Sequence, residues 1–152
     1  MPYSWQDALL STFAELPHHR GPHGEAARAY AIIDFRGHPD LLARIRATQD
    51  LSFGSIWGQT GLDIYADVAP LLIEIDGASQ GVLRGPRYAG FNTVLVRVLE
   101  ALHERAGGRY AMLCFASAVP LEKLIAHFGP FCDYALPDAS EFFLHWYDSR
   151  IL

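Results

Sequence analysis

The chain has 152 residues, of which 51% are hydrophobic and 19% charged, a balance that excludes a disordered chain and is typical of one compact domain. The 12 basic and 17 acidic residues give a net charge of −5, and the scattered Arg and Lys residues exclude a basic surface for nucleic acid or an anionic membrane. No apolar run is long enough to span a bilayer, the first residues lack the pattern of a signal peptide, and two cysteines cannot form a disulfide scaffold, so we expect a cytoplasmic protein.

The first part of the chain is predicted to hold a helix, a loop and a β-α unit. The helix begins at its N-cap Ser4 and continues at helical spacing to Leu16. Residues 18–24 carry loop signals throughout. Residues 28–35 then predict a strand that is apolar on both faces, and Pro39 opens a short helix.

The middle of the chain predicts one strand and one long helix among less regular segments. Residues 51–57 are compatible with a strand or an ordered loop, and Thr60 is expected to start a short helix. Residues 71–75 predict a second strand, and residues 78–90 a connection. A wide apolar stripe over residues 91–106 then predicts the clearest helix of the chain.

The last part predicts three more strands around one helix. The strands are expected over residues 109–115, 132–136 and 141–147, and the helix over residues 121–128. Because both faces of the last strand are apolar or aromatic, we expect that strand to lie inside the sheet rather than at an edge. The fold class is therefore α/β, with α+β as the alternative: a single mixed sheet of about four to six strands with helices packed on its faces.

The seven histidines prompt a search for a metal site, above all at His18, His19 and His23. No cysteine pair and no His-Glu-x-x-His pattern accompanies them, so a solvated loop is the better interpretation. The glycines form neither of the phosphate-binding patterns, G-x-G-x-x-G or G-x-x-x-x-G-K-[ST]. The sequence therefore predicts no metal and no cofactor.

Catalytic residues are not predicted either. Cys114 lies in the middle of an apolar strand, where a free cysteine acts as a small buried hydrophobe, and nothing marks Cys132 as activated. Asp34 follows a strand at a place where open α/β sheets carry functional groups, but a turn-capping role is the better interpretation. Asp63 and Asp67 fit a solvated helix face.

Aromatic residues are numerous, with three Trp, seven Tyr and nine Phe. Several of them fall in predicted loops or short elements, namely Trp57, Tyr65, Tyr88, Phe131 and Tyr134. Two interpretations stay open. The rings either form an exposed surface for a partner protein, or they cover the ends of the sheet.

Five segments carry a resemblance to a known family. They are Tyr30–Asp34, Asp67–Ile75, Arg109–Ser117, Leu121–Phe128 and the ending Ser140–Leu152. In order and spacing they resemble the DUF4123 family, whose ending has the form F-x-x-Y-D-P-R-V-L. Ser149 stands where that pattern has proline, and a tyrosine stands near position 110 where the family has tryptophan.

The resemblance implies a non-catalytic adaptor of the bacterial type VI secretion system. Such a protein binds a secreted effector in the cytoplasm and helps load it onto the VgrG spike protein. Family members generally continue into a second, helical lobe, so residues 1–152 are expected to form the first lobe as a single domain.

The resemblance also implies that Tyr147, Asp148 and Arg150 form a family-specific turn, in which Asp148 and Arg150 pair or cap the backbone. The candidate partner-binding residues are Trp57, Tyr65, Tyr88, Tyr134, Tyr147, Asp148 and Arg150. The alternatives are a toxin-binding immunity protein and a small cysteine-dependent α/β enzyme.

Overall fold

The computed structural model describes residues 21–75, 92–107 and 109–148. The helix predicted from Ser4 to Leu16 and the connection predicted over residues 78–90 lie outside the described residues. Within the described ranges, no helix combines the length and hydrophobicity that crossing a bilayer requires.

A four-stranded sheet forms the centre of the domain. Its strands are β1 (Arg28–Ile33), β2 (Phe53–Ser55), β3 (Leu71–Glu74) and β4 (Met112–Ser117). The strand order is β2-β3-β1-β4, and each of the three pairs is antiparallel. The first strand of the chain therefore lies between two strands that come much later in the sequence.

In the described ranges, three α-helices and two 3-10 helices accompany the sheet. The α-helices are α1 (Pro39–Arg46), α2 (Thr93–Ala106) and α3 (Leu121–Phe128), and the 3-10 helices span Gly61–Val68 and Gly129–Phe131. Asn92 caps α2, because its Oδ1 accepts hydrogen bonds from the main chain of Val94 at 2.9 Å and Leu95 at 3.2 Å. Gly107 ends that helix in the left-handed conformation, with φ of 57°.

The core lies on both faces of β1. Ala31 and Ile33 pack with the apolar residues of α1 and α2 in one cluster. Tyr30 and Ile32 point to the opposite face and belong to a second cluster, to which α3 contributes Leu124. Since the side chains of a strand alternate between its faces, a strand covered by helices on both sides has to be apolar throughout. The predicted α/β class, with helices on the faces of one sheet, is confirmed.

The position predicted for the last strand is wrong. The strands β5 (Asp133–Ala135) and β6 (Glu141–Phe143) form a separate two-stranded sheet and do not enter the central one. The strand also ends at Phe143 rather than at Tyr147. The predicted alternation of side chains between two faces does not hold at the end of this segment. Trp146 and Tyr147 are neighbours in sequence, yet both pack on the second cluster from a turn. Apolar residues on both faces of a segment do not by themselves place that segment inside a sheet.

Candidate functional site

The carboxyl end of β1 carries an aspartate that is almost completely buried. Asp34 is 5% exposed, and its Oδ1 accepts a hydrogen bond from the main-chain N–H of Arg36 at 2.9 Å. This contact closes a turn, so the predicted turn-capping role of Asp34 is confirmed. Its Oδ2 accepts a second bond, from Nε of the same arginine at 2.6 Å.

The guanidinium of Arg36 also reaches the C-terminal segment. Its Nη2 lies 3.8 Å from Oδ2 of Asp148, a carboxylate that is 2% exposed. Its Nη1 lies 3.2 Å from Nε2 of His145, and Nδ1 of that histidine lies 2.9 Å from the hydroxyl of Tyr147. We call these five residues, Asp34, Arg36, His145, Tyr147 and Asp148, the closing network.

The hydrogen bonds of the closing network define the tautomer of its histidine. A guanidinium can only donate, so Nε2 of His145 accepts from Arg36 and the proton of the neutral ring lies on Nδ1. That N–H donates to the hydroxyl of Tyr147. Burial and the positive charge of Arg36 lower the pKa of His145, and burial and the negative charge of Asp34 raise the pKa of Tyr147. Both rings are therefore neutral at pH 7.

Aromatic contacts hold the same segment against the second cluster. The indole N–H of Trp146 donates to Sγ of Cys132 at 3.3 Å, and its ring lies 4.8 Å from that of Phe128. Phe128 contacts Phe115 edge to face at 5.7 Å, and Phe115 stacks on Tyr30 at 5.6 Å. The end of the described chain is thus connected to β1 both by charge and by ring packing.

A different kind of surface lies beside this segment. Five large apolar residues of the hairpin region are exposed by 42–53%, namely Phe131, Leu136, Phe142, Phe143 and Leu144. We call them the hairpin surface. Phe142 and Phe143 follow each other in β6 and so point to opposite faces of the two-stranded sheet. Apolar groups exposed in such number on one segment are typical of an interaction site.

The structure places the predicted partner-binding residues in different environments. Trp57 and Tyr147 are 5% and 1% exposed, and Asp148 is buried as well. The ring of Trp57 packs in the second cluster, so of the two interpretations left open this residue fits the one in which the rings cover the sheet. Tyr65 is exposed, and the main chain of Tyr134 pairs with that of Phe142. Tyr88 and Arg150 lie outside the described residues.

Two features of this region were not predicted from the sequence. No role was predicted for Arg36, whose partner Asp148 is far away in the sequence. The strand β6 was expected to be covered, whereas Phe143 is 53% exposed. The sequence did carry a signal for the exposure of β6, since the turn residues Pro137 and Asp138 isolate this strand from the segments before it.

Burial limits the reactivity of the two cysteines, the remaining candidates for a catalytic role. Burial raises the pKa of the Cys114 thiol to about 11 and also raises the pKa of Cys132. Among residues 21–75, 92–107 and 109–148, no group of three or more His, Cys, Asp or Glu side chains is placed to hold a metal ion. His18 and His19 lie outside these ranges, whereas His23 lies within them.

A cleft of about 370 Å³ opens next to the closing network. Its lining comes from the end of β1 and from the segment before β4, namely Asp34, Arg36, His38, Arg109, Tyr110 and Ala111. The guanidinium of Arg36 is already engaged by Asp34, His145 and Asp148. In this arrangement Arg36 connects the end of β1 to the C-terminal segment.

A sheet with helices on both faces defines a three-layer α/β domain, and here the closing network connects the end of its strand β1 to the C-terminal segment. Within this class, the chain belongs to the family described as "Domain of unknown function (DUF4123)", whose family model matches residues 29–152. The resemblance carried by the five segments is thereby confirmed. No curated protein and no solved structure matches the chain.

Replacing Arg36 by Ala should destabilise the fold. The substitution removes the cation that lies between two buried carboxylates, which we expect to cost about 1–3 kcal/mol of unfolding free energy. Partial exposure of the guanidinium keeps this below the cost of breaking a fully buried pair. Chemical denaturation followed by circular dichroism measures the change. Arg105→Ala is the matched control, since its 2.7 Å contact with Asp40 is exposed and should contribute little to stability. Equal losses for the two variants would contradict a special role of the closing network.

Stability should depend on pH through His145. Because its pKa is lowered in the folded state, the unfolded chain takes up the proton more readily. The stabilisation is present above the ordinary histidine pKa of about 6.5, and it is lost as the pH falls from there through the folded value. Denaturation midpoints measured between neutral and mildly acidic pH should therefore decline in the wild type and less steeply in His145→Asn.

His127→Asn removes an exposed histidine and should keep the wild-type profile. An unchanged profile in His145→Asn would contradict this account.

Proposed function

We propose that this chain is a non-catalytic adaptor of the type VI secretion system, which binds a secreted effector in the bacterial cytoplasm and helps load it onto the VgrG spike protein. Membership of the DUF4123 family supports the proposal, because the adaptor role is associated with that family. The observation that carries it is the hairpin surface, a set of exposed apolar side chains on a domain whose core is otherwise closed.

The energetics of the hairpin surface fit a binding role. An isolated two-stranded hairpin is only marginally stable in water, and aromatic rings that stay about half exposed on its two faces contribute only part of their possible apolar burial to folding. Burial of those rings against a partner would release water from a large apolar area. Aromatic side chains in the centre of an interface are also those that contribute most to affinity.

The alternatives are less well supported by the same residues. A cysteine-dependent enzyme needs a thiolate, and burial raises the pKa of both thiols. A toxin-binding immunity protein would use a comparable surface, so it is separated by a cell-based test. An immunity protein protects cells that produce the toxic protein, whereas an adaptor leaves them sensitive.

Co-purification tests the adaptor function. The chain is tagged and produced together with the effector and spike proteins encoded beside it, and we expect both to be retained with the tagged chain. Leu144→Asp places a charge on the hairpin surface and should lower effector capture at least roughly tenfold, which corresponds to about 1.4 kcal/mol. The matched control is Leu113→Asp, which alters an exposed leucine of β4. Failure of the folded wild type to retain either protein, or protection of cells against the effector, would contradict the proposal.

A further inference from the structure

The hydrogen bonds of the hairpin define which main-chain groups point outwards. The N–H of Leu136 donates to the carbonyl of Ser140 at 2.9 Å, and that of Leu144 donates to the carbonyl of Cys132 at 3.0 Å. Hydrogen-bonded and non-hydrogen-bonded pairs alternate along an antiparallel ladder. The intervening pairs, Asp133 with Phe143 and Ala135 with Glu141, are therefore the non-hydrogen-bonded ones.

Within the described part of the chain, the outer edge of β6 is consequently unpaired. The N–H and carbonyl groups of Glu141 and Phe143 point away from β5, and no described residue forms a main-chain hydrogen bond with them. The strand contains no proline, lysine or bulge, which are the usual devices that protect a sheet edge. Such an edge is a template for one more strand.

We infer that the edge of β6 accepts an extended, basic strand of a partner protein, which adds a third strand to the hairpin. This inference rests on the proposed function and specifies how the effector is bound. Main-chain hydrogen bonds to Glu141 and Phe143 would supply affinity, and side chains on both faces would supply specificity. A strand fits better than a helix, because β6 presents an aromatic ring on each face and a helix would cover only one of them.

The charge of the hairpin defines the chemistry of the partner strand. The segment from Gly129 to Asp148 contains no Lys or Arg, and its acids are Asp133, Asp138, Glu141 and Asp148. Two of them act within the domain, because Asp133 accepts a hydrogen bond from the main chain of Gly61 at 3.1 Å and Asp148 faces Arg36. The exposed charges, Asp138 and Glu141, are both negative. A Lys or Arg opposite Glu141 would form the complementary cross-strand pair.

The same charges disfavour a second copy of this chain as the occupant. Pairing two β6 strands would bring the exposed carboxylates of both hairpins together, on chains that each carry a net charge of −5. Like charges of this kind oppose association. A partner of opposite charge is the occupant that the hairpin fits.

Proline scanning of the two edges tests the inference. Phe143→Pro removes an outward N–H without removing a bond of the hairpin ladder, and Ala135→Pro does the same on the opposite edge, at β5. In the co-purification with the effector, Phe143→Pro should lower capture roughly tenfold or more, while Ala135→Pro should bind as the wild type does.

Phe143→Ala keeps the N–H and should retain more binding than Phe143→Pro. Wild-type capture by Phe143→Pro, with the effector still bound, would overturn the strand addition and leave the adaptor function standing.

Amide hydrogen exchange decides the inference even if the wild type retains no effector, in which case the proposed function has failed. The probes are two short synthetic peptides, one alternating Lys with Val and the other alternating Glu with Val. The Lys peptide should slow exchange at Glu141 and Phe143, and the Glu peptide should not. In Glu141→Lys the preference for the Lys peptide should be lost. No slowing by either peptide would overturn the inference. Slowing that depends on protein concentration alone would also overturn it, since the edge would then be occupied by a second copy.

Discussion

The guanidinium of Arg36 lies between two buried carboxylates, and the arrangement of the C-terminal segment depends on it. Asp34 closes the end of β1, and Asp148 follows the last aromatic turn. Two buried acids in one place would be unfavourable without a cation between them. Because Arg36 also bonds His145, the contact fixes the turn that places Trp146 against Cys132. An electrostatic constraint at the end of a core strand therefore holds the segment in which the hairpin ends.

This constraint separates the domain into two regions with different properties. The central sheet is covered by helices on both faces, and the apolar side chains of β1 and β3 pack in the two core clusters. The hairpin is attached at one end through the closing network and keeps its apolar side chains exposed. A packed core with an exposed apolar segment beside it suits recognition, because little of the core has to be reorganised on binding. The adaptor function and the strand addition both follow from this division.

The strands and helices could be predicted from the sequence, including both strands of the hairpin, but the separation of the hairpin from the central sheet could not. The strand β1 and the helix α3 are defined by local patterns, since burial on both faces leaves an apolar run and burial on one face leaves a helical stripe. The turn at Asp34 could also be predicted, because it depends on a contact between residues close in sequence. The last strand was misplaced, and the exposure of Trp57 was left open, because exposed and buried aromatic residues look alike in a sequence. The contact of Arg36 with Asp148 joins distant positions and has no signature in either segment.

Amide exchange in Asp148→Asn tests the central claim, that the closing network anchors the hairpin independently of the sheet. The substitution keeps the shape of the side chain and removes its charge. We expect faster exchange at Phe142 and Leu144, whose N–H groups lie in the hairpin ladder, and unchanged exchange at Ile32 in the central sheet. Unchanged exchange in the hairpin, or equal acceleration at Ile32, would contradict the account.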